Sequence, residues 1–457
     1  MGLAGKWPQM SRQLELPFEN RGEAPRVERG EEEPAAVRRD ERSGASELMA
    51  RVVSRPNLQA ALKRVRKNQG SPGIDGMTVE DLPDHLRRNW PQLREQLLAG
   101  QYRPAMVRQK LIPKSGGGMR KLGIPTVLDR FIQQALLQVL QPMFDGSFSQ
   151  HSHGFRPGRR AHDAVVAAQR YVQQGRSIVV DVDLEQFFDR VNHDVLMGRL
   201  SKRIGDCRAL GLIRRYLEAG ILANGLAMER YEGTPQGGPL SPLLANVLLD
   251  EVDKELEKRG HAFVRYADDC NVYVRSRRAG ERVMGLLKRL YAGLRLRVNA
   301  SKSAIDLAVR RKLLGYSFWV ATGHAIKRRV SAKALGALKD RVRAITRRTG
   351  GRSIDQVVTE LRVYLTGWKQ YYRLADTPGV FAQLDGWLRH RLRAIHLKHW
   401  KRGKTIYREL RCRGLSQAAA AKVAANGRRW WWNSAMIINI AFPIRYFDQL
   451  GLPRLVA

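Results

Sequence analysis

Acidic residues, cysteines and long apolar runs are all scarce in this 457-residue chain. Only 43 Asp and Glu stand against 81 Lys and Arg, a formal net charge of +38. That imbalance argues against a small acidic metabolite as partner and for a long polyanion. Cys207, Cys270 and Cys412 lie too far apart for a CxxC zinc module and are too few for a disulfide framework, so a reducing compartment is expected. No apolar run reaches transmembrane length. The first residues lack the n-region and h-region of a signal peptide, and Glu31-Glu32-Glu33 is unlike a transit peptide. Cytoplasmic residence with no membrane partner is therefore the expectation. Hydrophobic residues make up 43% of the chain, enough for two or three domains with their own cores. A basic ribosomal-type protein would not need them.

Scarce acids make their clusters informative. In Phe263–Val274, FVRYADDCNVYV, the strand-like runs Phe263–Ala267 and Cys270–Val274 flank Asp268-Asp269, which predicts a β-hairpin with both acids at its tip. Tight hairpin turns favour glycine because they need φ > 0, and this one has none. A turn built against its own backbone preference points to function. Two carboxylates 4 Å apart repel by roughly 4 kcal/mol at an effective dielectric of about 20, and a divalent cation would relieve that. The plainer reading is a solvated acidic turn. Upstream, Ser177–Asp183 (SIVVDVD) is a buried-type strand ending in acids. Asp181 and Asp183 share a face because side chains alternate with period two, and on pattern alone either could be a ligand.

Residues 1–48, with balanced charge and few aliphatics, read as a flexible charged leader. Met106–Pro113 and Arg120–Pro125 alternate as strands around a glycine loop, so Lys114 and Arg120 would present positive charge at a hairpin tip. A triphosphate needs such countercharge, since phosphoryl transfer depends on positioning and on stabilising negative charge. His151 and His153 lack further ligands at suitable spacing and read as loop residues. Gly233–Pro239 (GTPQGGP) forces an exposed, closely approachable backbone before the apolar helix LSPLLANVLLDEVDKEL. Antiparallel hairpins mixed with helices of unequal length suggest an α+β fold. From Ser331 the periodicity turns helical, with Val357, Leu361, Leu365 and Trp368 on one apolar face and Leu384, Leu388, Leu392 and Ile395 on another. Arg362, Lys369, Arg391 and Arg393 are expected on the backs of these helices. Residues 327–457 carry 28 basic and 7 acidic residues, too few acids for the charge to be an ordinary balanced surface. Trp430, Trp431 and Trp432 cannot all face one core, so either stacking on unpaired bases or packing on the helices would account for them.

With those residues in view, Tyr266-Ala267-Asp268-Asp269 resembles the YADD box of reverse transcriptases. GIDG at Gly73–Gly76, HGFRPGR from His153, PQG at Pro235–Gly237 and LRVYLTGWKQYYR from Leu361 resemble segments of the group II intron reverse transcriptase/maturase family along most of the chain. The resemblance implies a right-hand polymerase. Fingers and palm with an antiparallel sheet would occupy 49–323, an α-helical thumb or maturase X domain 324–405, and a basic RNA- or DNA-binding tail 406–457. It selects Asp183 over Asp181, because Phe188 then falls in the family's aromatic position beneath the incoming sugar. It assigns Asp183, Asp268 and Asp269 to catalysis and to two Mg²⁺ ions, Lys114 and Arg120 to the triphosphate, and Gln236 to the nascent pair. The implied partners are the group II intron RNA as template, a DNA primer or target and dNTPs; a homodimer is left open. The implied work is copying RNA into DNA, assisting splicing and moving the intron. No Cys/His cluster suggests the zinc-bearing endonuclease of some members. Two rival readings are a reverse transcriptase of a diversity-generating or CRISPR-associated lineage, which the helix around Trp368 opposes, and a polymerase-inert splicing cofactor, which the retained acids oppose.

Overall fold

The computed structural model describes residues 47–113, 118–223, 226–435 and 437–456. Lys114 and the leader up to residue 46 lie outside them. The described residues divide into two compact units, one ending at Ala308 and the other beginning at Val309.

The first unit is α+β. Its central sheet has the strand order β6-β7-β3-β8, from β3 (Ile178–Val182), β6 (Ala262–Tyr266), β7 (Asp269–Val274) and β8 (Ala304–Leu307), with every neighbour antiparallel. Strand β3 is rich in β-branched residues and β7 is buried at all but its first residue, as a sheet covered by helices requires. The helix Arg277–Gly293 packs on β3, β7 and β8, and the helices Ala161–Gln173 and Ser241–Lys258 pack on β6. Ser276 starts the first of these by accepting a hydrogen bond from the Ala279 amide. A Cβ on Gly280 would stand 2.8 Å from the Ile305 methyl, so glycine is what lets that helix settle onto the sheet.

A second sheet, ordered β2-β1-β4-β5, carries the basic hairpin. Its strands are β1 (Val107–Pro113), β2 (Met119–Ile124), β4 (Ile221–Ala223) and β5 (Leu226–Met228). The predicted β1–β2 pairing forms in antiparallel register, Arg108 opposite Ile124 and Pro113 opposite Met119.

The second unit begins with a small sheet of β9 (Lys312–Leu313), β10 (Tyr316–Val320) and β11 (Ile326–Val330), and continues in helices. The division at 308/309 precedes the expected boundary at 323/324 because β10 belongs with the helices. The Tyr316 hydroxyl donates to the Tyr371 carbonyl, and the Tyr371 hydroxyl donates to the Leu314 carbonyl. The predicted helical faces appear as Ile354–Tyr371, opened by a Ser353–Gln356 capping box, and Pro378–Trp400. Val357, Leu361, Leu365, Leu384, Leu388 and Leu392 are buried. Arg393, expected on a cationic back, is buried as well and donates to the Phe442 carbonyl, because the chain beyond 405 packs on that helix. The segment 406–457 is thus part of this unit's core, with Ile406, Leu410, Phe442 and Phe447 all buried.

Candidate active site

The acid-bearing hairpin forms one residue out of the expected register. Tyr266 pairs with Asp269, so the two-residue turn is Ala267-Asp268 and Asp269 is the first residue of β7. The positive φ falls on Ala267, at 58°. This is the first central position of a tight turn, where glycine is usual. The turn is strained, as expected, but the strain is carried by the alanine before the acids.

What holds that strain is a buried network for which the sequence offers one signal, an arginine inside an apolar strand. Arg265 of β6 is 0% exposed. Its guanidinium reaches both oxygens of the buried Asp253 at 2.6–2.8 Å, donates to the Asn246 side-chain oxygen at 2.8 Å and donates to the Ala267 carbonyl at 3.0 Å. Asp253 and Asn246 lie on the helix that follows GTPQGGP, so that helix supports the turn from below. The HGFRPGR loop closes the other contact. The His153 amide donates to the Arg265 carbonyl, the Arg265 amide donates to the His151 carbonyl, and the Asn246 amide group holds the Gly154 carbonyl. A Cβ on Gly154 would sit 2.2 Å from the Ala267 nitrogen, so only glycine fits beneath the turn. His151 and His153 serve this loop: one ring bonds the Tyr171 hydroxyl, and burial pushes the other down to about 4.

The sheet brings the upstream acid to the same edge. Val182 pairs with Cys270 at the end of the antiparallel β3–β7 ladder, and Asp183 is the next residue along the chain, as Asp269 is next to Cys270. Asp181 lies deeper, between Asn271 and Ala304. Burial pushes the Asp268 carboxyl above the ordinary carboxylate range, and the carboxylate of Asp183 pushes the same way. The Asp268 backbone N–H, Arg120 and Arg265 pull against them. Asp183 and Asp268 therefore share one electrostatic environment, and Arg120 of the basic hairpin reaches it. The stretch LRVNASKSAID forms a strand over Ala304–Leu307 and otherwise loops around Asp183. The Asn299 amide donates to the Asp183 carbonyl, Ser303 bridges the Asp183 backbone, and the Lys302 ammonium lies 3.6 Å from its carboxylate. Lys302 and Ser303 were not foreseen, since nothing in their spacing ties them to residue 183.

Phe187 is buried, and Phe188 packs edge-on against it at 5.1 Å while staying half-exposed. Gln186 makes this offset by taking a left-handed φ of 46°. The Phe188 carbonyl accepts from the Thr234 amide, so the loop holding Gln236 is tied to the aromatic position. The same loop is tied to β2: the Gly123 amide donates to the Gln236 carbonyl, and Gly237, at φ 126°, leaves no room for a Cβ against the Gly123 carbonyl. Gln236 itself is half-buried.

An all-oxygen pair of half-buried carboxylates suits Mg²⁺ better than Zn²⁺, and the mutual repulsion of Asp183 and Asp268 is what a cation would relieve. Among the described residues no three His, Cys, Asp or Glu side chains form a complete metal site. Further donors would therefore come from substrate phosphates and water, the usual case for Mg²⁺ in phosphoryl transfer. Also among the described residues, no helix is long and apolar enough to cross a membrane.

A family model described as reverse transcriptase (RNA-dependent DNA polymerase) matches residues 112–318, and one described as group II intron, maturase-specific domain matches 335–414. Protein YkfC of Escherichia coli (strain K12) is 32% identical over 303 residues, covering 56% of this chain and 78% of that protein. Group II intron-encoded protein LtrA of Lactococcus lactis subsp. cremoris is 35% identical over 206 residues, covering 45% of this chain and 34% of LtrA. Of solved structures, a chain of the "Partial Cas6-RT-Cas1--Cas2 complex" is 28% identical and covers 54% of this chain and 42% of its own, with a TM-score of 0.35.

Proposed function

Since the chain belongs to the group II intron-encoded reverse transcriptase and maturase family and carries its RNA-directed DNA polymerase domain, we propose that it extends a DNA primer on intron RNA by two-metal phosphoryl transfer at the edge of the β6-β7-β3-β8 sheet. The observation that carries this reading is the sheet register, in which β3 ends at Val182 opposite Cys270 and the hairpin turn ends at Asp269, so that Asp183 and Asp268 come to one edge where each carboxylate feels the other. Asp183 and Asp268, with Asp269 adjacent, would hold the cations. Bound there, divalent ions would lower the pKa of a primer 3′-hydroxyl and neutralise the triphosphate and departing pyrophosphate.

The protein's own contribution is positioning and charge. Arg120 and Lys114 would bind the triphosphate, Gln236 would approach the nascent pair, and the half-exposed ring of Phe188 would underlie the sugar and exclude a 2′-hydroxyl by bulk. Lys302, an ion pair away from Asp183, would neutralise that carboxylate between turnovers and release it when a cation competes. The helical unit, with its surplus of cations, would bind the parent intron RNA and assist its splicing and mobility. The maturase-specific match over 335–414 favours this over a reverse transcriptase of another lineage.

Primer extension on a homopolymer RNA template with Mg²⁺ tests the reading. Asp268→Ala is expected to lower the rate by about 10³-fold or more. An inactive wild type would remove the polymerase reading, and splicing assistance that survives Asp268→Ala would show that the two activities separate.

A further inference from the structure

In the helical unit, the helix Pro378–Trp400, Ser434, Ala435 and residues 439–445 line an open hollow of about 740 Å³ whose wall includes Arg389, His390, Arg393, Asn439, Ile444 and Arg445. Its size is that of a small-ligand pocket, but its wall is cationic. Arg393 is 8% exposed, and its guanidinium donates through Nε and Nη2 to a single neutral acceptor, the Phe442 carbonyl, at 3.2 and 2.9 Å. Burial, with Arg389 beside it, pushes that guanidinium down to about 10. Among the described residues no carboxylate forms an ion pair with Arg389, Arg393 or Arg445. Asp448, which feels the charge of Arg389, is held by Arg454. Arg393 is buried and Arg389 half-buried, and cations so placed without a counter-ion are costly to a fold, while Arg445 stands exposed at the rim. Their convergence on a hollow is accounted for by an anion supplied from outside.

The remaining wall says which anion. His390 stacks on Trp431 at 3.7 Å and 24°, and its ring nitrogen lies 2.9 Å from the Trp431 carbonyl. Ile444, on the same wall, is 45% exposed, and Trp431, stacked on His390, is 41% exposed. An inorganic anion has no use for such apolar and aromatic surface, and a duplex keeps its bases stacked away from a protein hollow. An unpaired nucleotide uses both, its phosphate for the guanidiniums and its base for the ring and aliphatic faces. We propose that this hollow binds an unpaired nucleotide of a nucleic-acid strand, with its phosphate between Arg389 and Arg445 and its base on the Ile444–His390 side.

Ribose and deoxyribose strands present the same phosphate and base, so the test carries both. The full chain is cross-linked by light to a short oligouridylate containing 4-thiouridine, to the matching thiothymidine DNA, and to a duplex RNA with the same photoactive base, and the adducts are mapped by peptide. Adducts in peptides covering Gly386–Arg393 or Ser434–Arg445 are expected with single strands. Arg389→Ala/Arg445→Ala should lower their yield by about tenfold, since each variant position loses a charge-assisted bond. Ile444→Glu places a like charge at the exposed lip without disturbing the core and should do the same. Preference for the ribose strand would mark RNA as the ligand, and equal labelling would mark a site that reads base and phosphate alone. The proposal is overturned if single strands label only other peptides, if both variants retain the wild-type yield, or if duplex RNA labels these peptides equally well. These peptides lie outside the polymerase domain, so the result stands whether or not the chain extends a primer.

Discussion

At the scale of single residues, Asp268 combines two demands that oppose each other. Folding raises its carboxyl above the ordinary range, so the folded chain holds that proton more tightly than the unfolded chain does. The stability gained while it is protonated is lost as pH rises from the ordinary carboxylate range through the raised value. At neutral pH the ionised group therefore burdens the metal-free protein, a burden that the proposed cation-binding role would require. Asp268→Asn is expected to raise the melting temperature in EDTA at pH 7, with the difference closing in acid, and to abolish the stabilisation that added Mg²⁺ gives the wild type. Calorimetry at two pH values reads both. Gly154 is the other decisive residue. Gly154→Ala would press a methyl against the Ala267 nitrogen and displace the turn by about an ångström. Misplacement of that order should lower primer extension by about 10²-fold, while near-wild-type circular dichroism would show the fold intact.

At the scale of elements, the hairpin that presents the acids cannot hold its shape alone. A two-stranded ribbon is marginal in water, and this one bears a positive φ on alanine. It is fixed because Arg265 ties its turn to the helix Ser241–Lys258 and to the loop at His151–Gly154. Arg265→Met would strand the Asp253 carboxylate at 0% exposure and should cost about 3 to 5 kcal/mol in chemical denaturation. Adding Asp253→Leu should restore much of that stability, since a buried pair exchanged for apolar groups is often neutral. It should not restore the rate, because the Ala267 carbonyl still lacks its donor. A double variant that recovers full polymerase activity would mean the network supports only the fold.

At the scale of the whole molecule, the chain is two units with different chemistry. One is an acid-tipped sheet with a basic hairpin beside it, and the other is a helical unit dense in Arg and Lys. The C-terminal fifty residues complete the second unit. Asp385, buried on the helix Pro378–Trp400, accepts from the amides of Leu455 and Val456, and Arg362 and Lys369 reach carbonyls between Leu450 and Arg454. Deleting 406–457 would bare His396, which stacks on Phe442, along with the buried Asp385 and Arg393. The truncated chain is expected to aggregate or to melt well below the intact one on size-exclusion and calorimetry, whereas removal of a mere tail would leave both unchanged.

The sequence by itself determined the elements and the chemistry. Period-two alternation marked β1 and β2, runs of strand-forming residues marked β3 and the acid hairpin, period 3.6 marked the helices of the second unit, and a pair of acids in a chain this short of them marked where to look, because these patterns are written in neighbouring residues. Only the tertiary structure decided how those parts meet. It set the turn one residue earlier, brought Asp183 to the edge that carries Asp268 and Asp269, put Lys302 and Ser303 around it, buried Arg393, and placed Arg265, Asp253, Asn246 and Gly154 beneath the acids. Those contacts join residues tens to hundreds of positions apart, and a hydrogen bond or a missing Cβ between distant segments leaves no periodic trace along the chain.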